Sequence, residues 1–271
     1  MSKSWLKDMF GAEKVAIGLV HLKALPSDPL FDEEGGMDAV YEAALADLTA
    51  LKEGDIDGIL FSNEFSFPYQ RPANPAVVAA MATIIGRLRN ELDRPYGANV
   101  ISDPVATIQL CAAIGASFTR GTFSGAYSGN LGISTAQAGD FVRLRHQLGI
   151  DNLKMIHCVN PESAAPLGGL DPMVQMRSIV FGNMPDGLGV AGATAGTTAD
   201  MGLLERVRAE NPDMVLFATT GVKEETIEQT YALADGAFIA SSLKVDRVFE
   251  NPVDERRVRS FMDKLRAYRN A

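Results

Sequence analysis

Basic charge is in short supply. Against 34 Asp and Glu the chain sets 25 Lys and Arg, a formal net charge of −9 over 271 residues. Nucleic acid is therefore not an expected partner, because a phosphate backbone needs a basic footprint. A small anionic ligand stays open, since a local cup of backbone N–H groups overrides the average charge. Cysteine is scarcer still: Cys111 and Cys158 are the only two. One lies in an apolar helical stretch and the other in or just after a strand, so they read as free thiols in a reducing compartment, the cytoplasm. No apolar run reaches the ~18 residues that a membrane span requires, and Met1 to Gly11 lacks the apolar region of a signal peptide. Metal-ligand spacing is missing too, with no HxH, HExxH or clustered carboxylates. No cofactor is expected, and little supports a divalent metal on His21, His157, Glu64 or Asp103.

What is present is a packed globular composition, 46% apolar and 22% charged. Trp5, Leu6, Met9 and Phe10 are spaced as a short amphipathic helix covering one end of a core. Short apolar runs then alternate with helical patterns. Strands are expected at 15–22, 57–61, 97–101, 117–123, 153–159, 187–193, 214–218 and 237–240. Helices are expected at 37–53, 74–92, 104–114, 135–148, 171–180, 200–209, 224–233 and 254–268. Strand and helix in strict alternation mean a parallel sheet with crossover helices, and eight repeats close into a (β/α)8 TIM barrel. The expectation is one barrel domain over residues 1–271 with a short N-terminal helix. Asp57-Gly58, Asp186-Gly187 and Asp235-Gly236 each precede a strand, an echo that speaks to architecture. Gly187 to Gly192 spells GxGxxG, but a dinucleotide fingerprint follows a strand and opens a helix, whereas this run is itself the strand.

Catalytic side chains of a barrel come from the C-terminal ends of its strands. That rule selects His21, Asn63, Glu64, Asn99, Asp103, Arg120, Thr122, His157, Asn160 and Thr194. A histidine at a strand end can exchange protons near neutral pH, so His157 and His21 are the expected proton carriers, with Glu64 a further base. If Ile59 and Phe61 face the interior, Asn63 does too, which favours Asn63 as the ligand contact. Asn99, Arg120, Thr122 and Thr194 are the other expected substrate contacts. The loops after the last two strands often form a phosphate cup. Gly221, Ser241, Ser242 and Lys244 supply a close backbone approach, hydroxyls and charge for one. A Schiff-base lysine fits poorly, because the sixth strand has none and Lys154 lies at the start of the fifth. The glycine-spaced loop from Gly121 to Gly132, with Tyr127 at its tip, is long enough to close over a ligand.

Several of these stretches together resemble the BtpA/SgcQ family. They are Gly18-Leu19-Val20-His21-Leu22 with Pro26, Asn63 with Pro68, Gly97-Ala98-Asn99-Val100, Arg120, and Gly192-Ala193-Thr194-Ala195-Gly196. Asp235-Gly236, Leu243-Lys244 and Asn251-Pro252-Val253-Asp254 complete the likeness, which runs over nearly the whole chain. The resemblance implies a TIM-like barrel. One branch of the family is associated with photosystem I accumulation and another with carbohydrate-related gene clusters. The chain departs from the family pattern at Ser102-Asp103-Pro104, Thr122, Asn130-Leu131 and Val159-Asn160, where ligand groups are expected. The expected function is a cytosolic isomerase, epimerase or lyase using acid–base chemistry on a small phosphorylated, sugar-like metabolite, or on another anionic ligand. The alternative is a non-catalytic barrel that binds a ligand or serves assembly. No membrane partner is expected, and a homo-oligomer is compatible with the sequence.

Overall fold

The computed structural model describes residues 4–194 and 196–271; Ala195, within the 192–196 stretch quoted above, lies outside them, as do residues 1–3. Numbered along the chain, the strands are β1 (Val15–His21), β2 (Gly58–Ser62), β3 (Tyr96–Asn99), β4 (Phe118–Gly121), β5 (Gly125–Gly129), β6 (Gly132–Ala136), β7 (Lys154–Cys158), β8 (Ala164–Pro166), β9 (Gly187–Val190), β10 (Leu216–Ala218) and β11 (Gly236–Ile239). Among the described residues, eight of them close into a barrel in the order β1-β11-β10-β9-β7-β4-β3-β2. Every barrel pairing is parallel. The helices are α1 (Ser4–Phe10), α2 (Gly36–Glu53), α3 (Pro75–Arg87), α4 (Pro104–Ile114), α5 (Ala138–Gln147), α6 (Pro172–Gly182), α7 (Met201–Glu210), α8 (Ile227–Leu233) and α9 (Glu255–Arg269). The expected (β/α)8 TIM barrel with its N-terminal helix is the observed fold.

Local chemistry explains the helix starts. Asn74, Asp103 and Asp171 each accept an N–H of the first turn and each precede a proline. The proline has no N–H to leave unpaired, and its fixed φ suits the helix. Such a cap is worth roughly 1 kcal/mol.

Two apolar layers divide each strand by alternate residues. Val15, Ile17, Leu19, Leu60, Phe118, Ile156, Val215, Phe217 and Phe238 pack inside the barrel with Leu6. Ala16, Val20, Ile59, Phe61, Met155, Leu188, Val190 and Leu216 pack outside it against the helices. Helix α1 closes the N-terminal end: Leu6 is buried in the inner layer, and the Trp5 indole donates to the Asp186 carbonyl at 3.1 Å. Truncating Leu6 to alanine should cost roughly 2–5 kcal/mol. The main cavity of the barrel therefore lies at its C-terminal mouth.

The glycine-spaced segment after β4 is not a loop. β5 and β6 form an antiparallel hairpin, and β8 adds to it as a third strand. Tyr127 sits mid-strand in β5 and is buried, where a loop tip was expected.

Candidate functional site

Alternation along the strands decides which side chains reach the mouth. On β2 the inner residue is Leu60, so Ser62 and then Glu64 continue inward, while Ile59, Phe61 and Asn63 face outward. The expected parity was one residue off. Asn63 accepts the Ile101 N–H at 2.8 Å and holds the loop after β3. Ile156 is inner on β7, which turns Cys158 inward and His157 outward. The His157 ring packs 4.9 Å from Phe123 behind the strand, and burial lowers its pKa to about 4. His157 therefore faces the helices and not the mouth.

The mouth holds a cavity of about 1050 Å³, at the top of the range for small-molecule sites. Strand ends contribute Asn99, Arg120 and Cys158; loops contribute Glu64, Tyr69, Asp103, Thr122, Asn160 and Glu162; and the antiparallel sheet contributes Tyr127. Arg120 is the central group. Its Nη1 donates to the Thr219 carbonyl at 3.2 Å and lies 3.9 Å from Glu162 Oε1. Its guanidinium sits 5.0 Å from the Phe238 ring centroid, and Asn99 fixes its backbone by donating to the Arg120 carbonyl at 3.0 Å.

Two carboxyl groups feel that cation. Glu64 accepts the Ser62 hydroxyl at 3.2 Å, and the Tyr69 hydroxyl donates to its backbone carbonyl at 3.0 Å. Burial raises the Glu64 pKa, Arg120 opposes the rise, and Glu162 adds to it. Burial raises Glu162 as well, against the same arginine. Nearby, burial pushes the Cys158 thiol up to about 11 and the Tyr127 phenol up to about 12, so both are neutral hydrogen donors near pH 7. Glu162, Cys158 and Tyr69 escaped the sequence reading as site residues, whereas Tyr127 was expected near the ligand but on a loop tip. Only Cys158 carried a usable signal, since it shares the inward parity of Ile156. Asp103 and Asn160 are scaffold: Asp103 accepts the Ala73 and Ala106 N–H groups, and Asn160 exchanges two bonds with Ala191.

The residues expected to form a phosphate cup lie away from the mouth cavity, and three of them already have contacts within the fold. Gly221, Ser241, Ser242 and Lys244 lie outside the cavity lining. Gly221 adopts φ +64, but a Cβ there would meet the Thr197 carbonyl oxygen at 2.2 Å, so the 197–198 backbone already covers it. The Ser242 hydroxyl donates to the Val222 carbonyl at 2.7 Å. Lys244 is buried and donates to the Phe249 carbonyl at 2.5 Å, beneath the rings of Phe65 and Phe249. His21 faces inward under the same rings, 5.5 Å from that of Phe249. Burial and then the charge of Lys244 hold it neutral, its pKa well below the usual value. Thr194 is exposed and bonds to Thr197 within its own turn. Among the described residues no cluster of three or more metal-ligating side chains occurs, and no helix is long and apolar enough to cross a membrane.

Comparisons agree with this geometry at the level of fold and family. A model of the BtpA family matches residues 12–267. The sgc region protein SgcQ of Escherichia coli is 45% identical over 262 residues, 97% of this chain and 98% of that one. The photosystem I biogenesis protein BtpA of Synechocystis sp. is 30% identical over 260 residues, 94% of this chain and 89% of its own. Among solved structures, native KDPGal superposes with TM-score 0.57 at 12% identity, covering 94% of this chain and 96% of that one. Phosphoribosyl anthranilate isomerase from Thermus thermophilus does so with TM-score 0.56 at 12% identity, covering 94% and 99%. These two likenesses bear on the barrel alone.

Proposed function

The chain belongs to the BtpA family, and from that footing we propose that it is an enzyme moving protons on a small sugar-like metabolite, as an isomerase, epimerase or lyase. One observation carries the reading: Glu64 and Glu162 both border Arg120 in the cavity, each with its carboxyl pKa raised by burial. A carboxylate tuned upward is a better base at neutral pH, because its proton affinity approaches that of the medium. In this scheme Glu64 takes a proton from carbon next to a carbonyl or carboxyl group. Arg120 holds the oxygen on which negative charge builds, as preorganised positive charge does in low dielectric. Glu162, protonated, returns a proton to the resulting enol. The residues expected to hold a phosphate lie outside this cavity, so the carboxyl pair and the arginine support the proposal without them. Two free thiols, Cys111 and Cys158, support a reducing compartment such as the cytoplasm.

The relative named for photosystem I biogenesis favours a second reading, a barrel that binds without catalysing. Proton exchange separates the two. Aldoses, ketoses and aldonates incubated with the chain in D2O should take up deuterium at one carbon, followed by proton NMR. Glu64→Gln should slow that uptake by about 10²–10⁴-fold, the usual contribution of a positioned acid or base. Uptake as fast in Glu64→Gln as in the unchanged chain would remove Glu64 as the base. Tight binding of a panel compound with no exchange at all would favour the second reading.

A further inference from the structure

The barrel interior around Arg120 narrows the substrate further. On β9 the inward positions are Gly187 and Gly189, the same run that spells a dinucleotide motif. A Cβ at Gly189 would meet the Thr219 methyl at 2.7 Å and Cys158 Sγ at 3.6 Å. The glycine thus makes room, on the inner face, for the side chains of Thr219 and Cys158. Arg120 reaches into that space from β4, with Nη1 fixed on the Thr219 carbonyl.

Its other edge is empty. Arg120 Nε, the Thr219 hydroxyl and both ring nitrogens of His21 are buried and have no hydrogen-bond partner among the described residues. Thr219 is 3% exposed and His21 5%. A buried polar group without a partner destabilises the fold, and more so when charged. Of the three, Arg120 lines the mouth cavity, with Thr219 directly behind it through the bond to Nη1, so a ligand that reaches the arginine supplies the missing partner first.

The chemistry of that ligand follows from shape and charge. The Nε edge of a guanidinium presents two parallel N–H groups that match the two oxygens of a carboxylate. Charge favours a monoanion. The lysines near the mouth are spent on backbone carbonyls, Lys244 on Phe249 and Lys23 on Glu250. Arg120 is the cation that acts most strongly on both Glu64 and Glu162, and a phosphate dianion would bring it one more negative charge than a carboxylate does. A neutral sugar would leave the edge unpaired. We propose that the free edge of Arg120, with the Thr219 hydroxyl beside it, seats the carboxylate of the substrate, so that the chain acts on a sugar acid. The binding claim stands alone; the claim of turnover rests on the acid–base reading above.

Calorimetric titration of the full chain with D-gluconate and D-galactonate, glucose, galactose and glucose 6-phosphate tests it. An aldonate should bind at least ten-fold tighter than its parent sugar and than the phosphate ester. Arg120→Lys keeps the charge but loses the two-pronged edge, and should weaken aldonate binding about 10–100-fold. Should that variant fail to fold, Thr219→Val removes only the hydroxyl and should weaken binding about five-fold. Equal affinity for acid and parent sugar, preference for the phosphate ester, no aldonate binding, or unchanged binding in the variants would each overturn the carboxylate seat. Glu64→Gln should still bind the aldonate. If it also exchanges deuterium normally, the acid–base reading fails while the seat survives.

Discussion

The imidazole of His157 lies behind β7 against Phe123, with both nitrogens buried and unpaired. Burial lowers its pKa from 6.5 to about 4. The folded state therefore prefers the neutral ring, and the unfolded chain binds a proton that the fold must refuse. Its stabilising contribution is complete above pH 6.5 and is lost as pH falls through 6.5 toward 4, because the unfolded state there holds more protons. That loss is roughly 3 kcal/mol. His157→Phe keeps the ring and removes the titration. Melts from pH 7 to pH 4 should show the unchanged chain losing about 3 kcal/mol more than the variant, with deuterium exchange at pH 7 unaltered. Parallel pH profiles for the two would place the ring in water. The same arithmetic of alternation ranked Glu64 below Asn63. A strand buried on both faces offers Ile59, Leu60 and Phe61 in succession, all buried, and nothing in such a run tells inside from outside. Arg120 and Asn99 were legible because short strands leave few polar residues at their ends. Glu162 was not, since it reaches the mouth by the turn after Cys158 and not by strand parity.

Elements with a strong period were easy to read, and the antiparallel sheet was not. Helix α4 begins where its Asp103-Pro104 signal says it should. β5 and β6 carry five residues of glycine and serine between them and Ile133 points into solvent, 70% exposed. Only Tyr127 is buried in this hairpin, so there is no apolar alternation to detect. Among the described residues the sheet pairs only with itself, and it carries Tyr127 over the cavity. Replacing residues 126–135 by a short glycine linker should therefore leave the barrel standing, with the melting temperature lowered by only a few degrees, as for a surface excursion. Ligand affinity should fall about ten-fold as the cavity opens to water and loses an aromatic wall. Circular dichroism and the same titrations would report both. A collapse of the barrel signal would show instead that the sheet holds the fold together.

Across the whole molecule, the two ends of the barrel carry different burdens. The Asp-Gly echo belongs to the closed, N-terminal end. Asp57 accepts the Ala16 N–H at 2.7 Å, Asp186 that of Met155 at 3.0 Å, and Asp235 that of Leu216 at 3.1 Å. Each carboxylate thus ties the start of its own strand to the neighbouring strand. Each also meets an arginine: Asp57 with Arg269, Asp186 with Arg145 at 2.9 Å, and Asp235 with Arg208 at 2.5 Å. The glycines were readable as turn chemistry, but the clamps were not, because their partners lie up to 212 residues away in sequence. Stability at this end and chemistry at the other should separate on mutation. Asp235→Ala removes the carboxylate that pairs with Arg208 and Lys14 and leaves the Leu216 N–H without its acceptor, at a cost of roughly 3–5 kcal/mol. For a chain of this size that lowers the melting temperature by about 10 °C. Deuterium exchange and aldonate affinity, measured well below the melt, should stay within about two-fold of the unchanged chain. Asp235→Asn keeps an oxygen that can accept the Leu216 N–H and should lose less than Asp235→Ala. Activity that fell in step with stability would mean that the two ends are coupled through the strands, and that register set at the closed end fixes where Arg120 points.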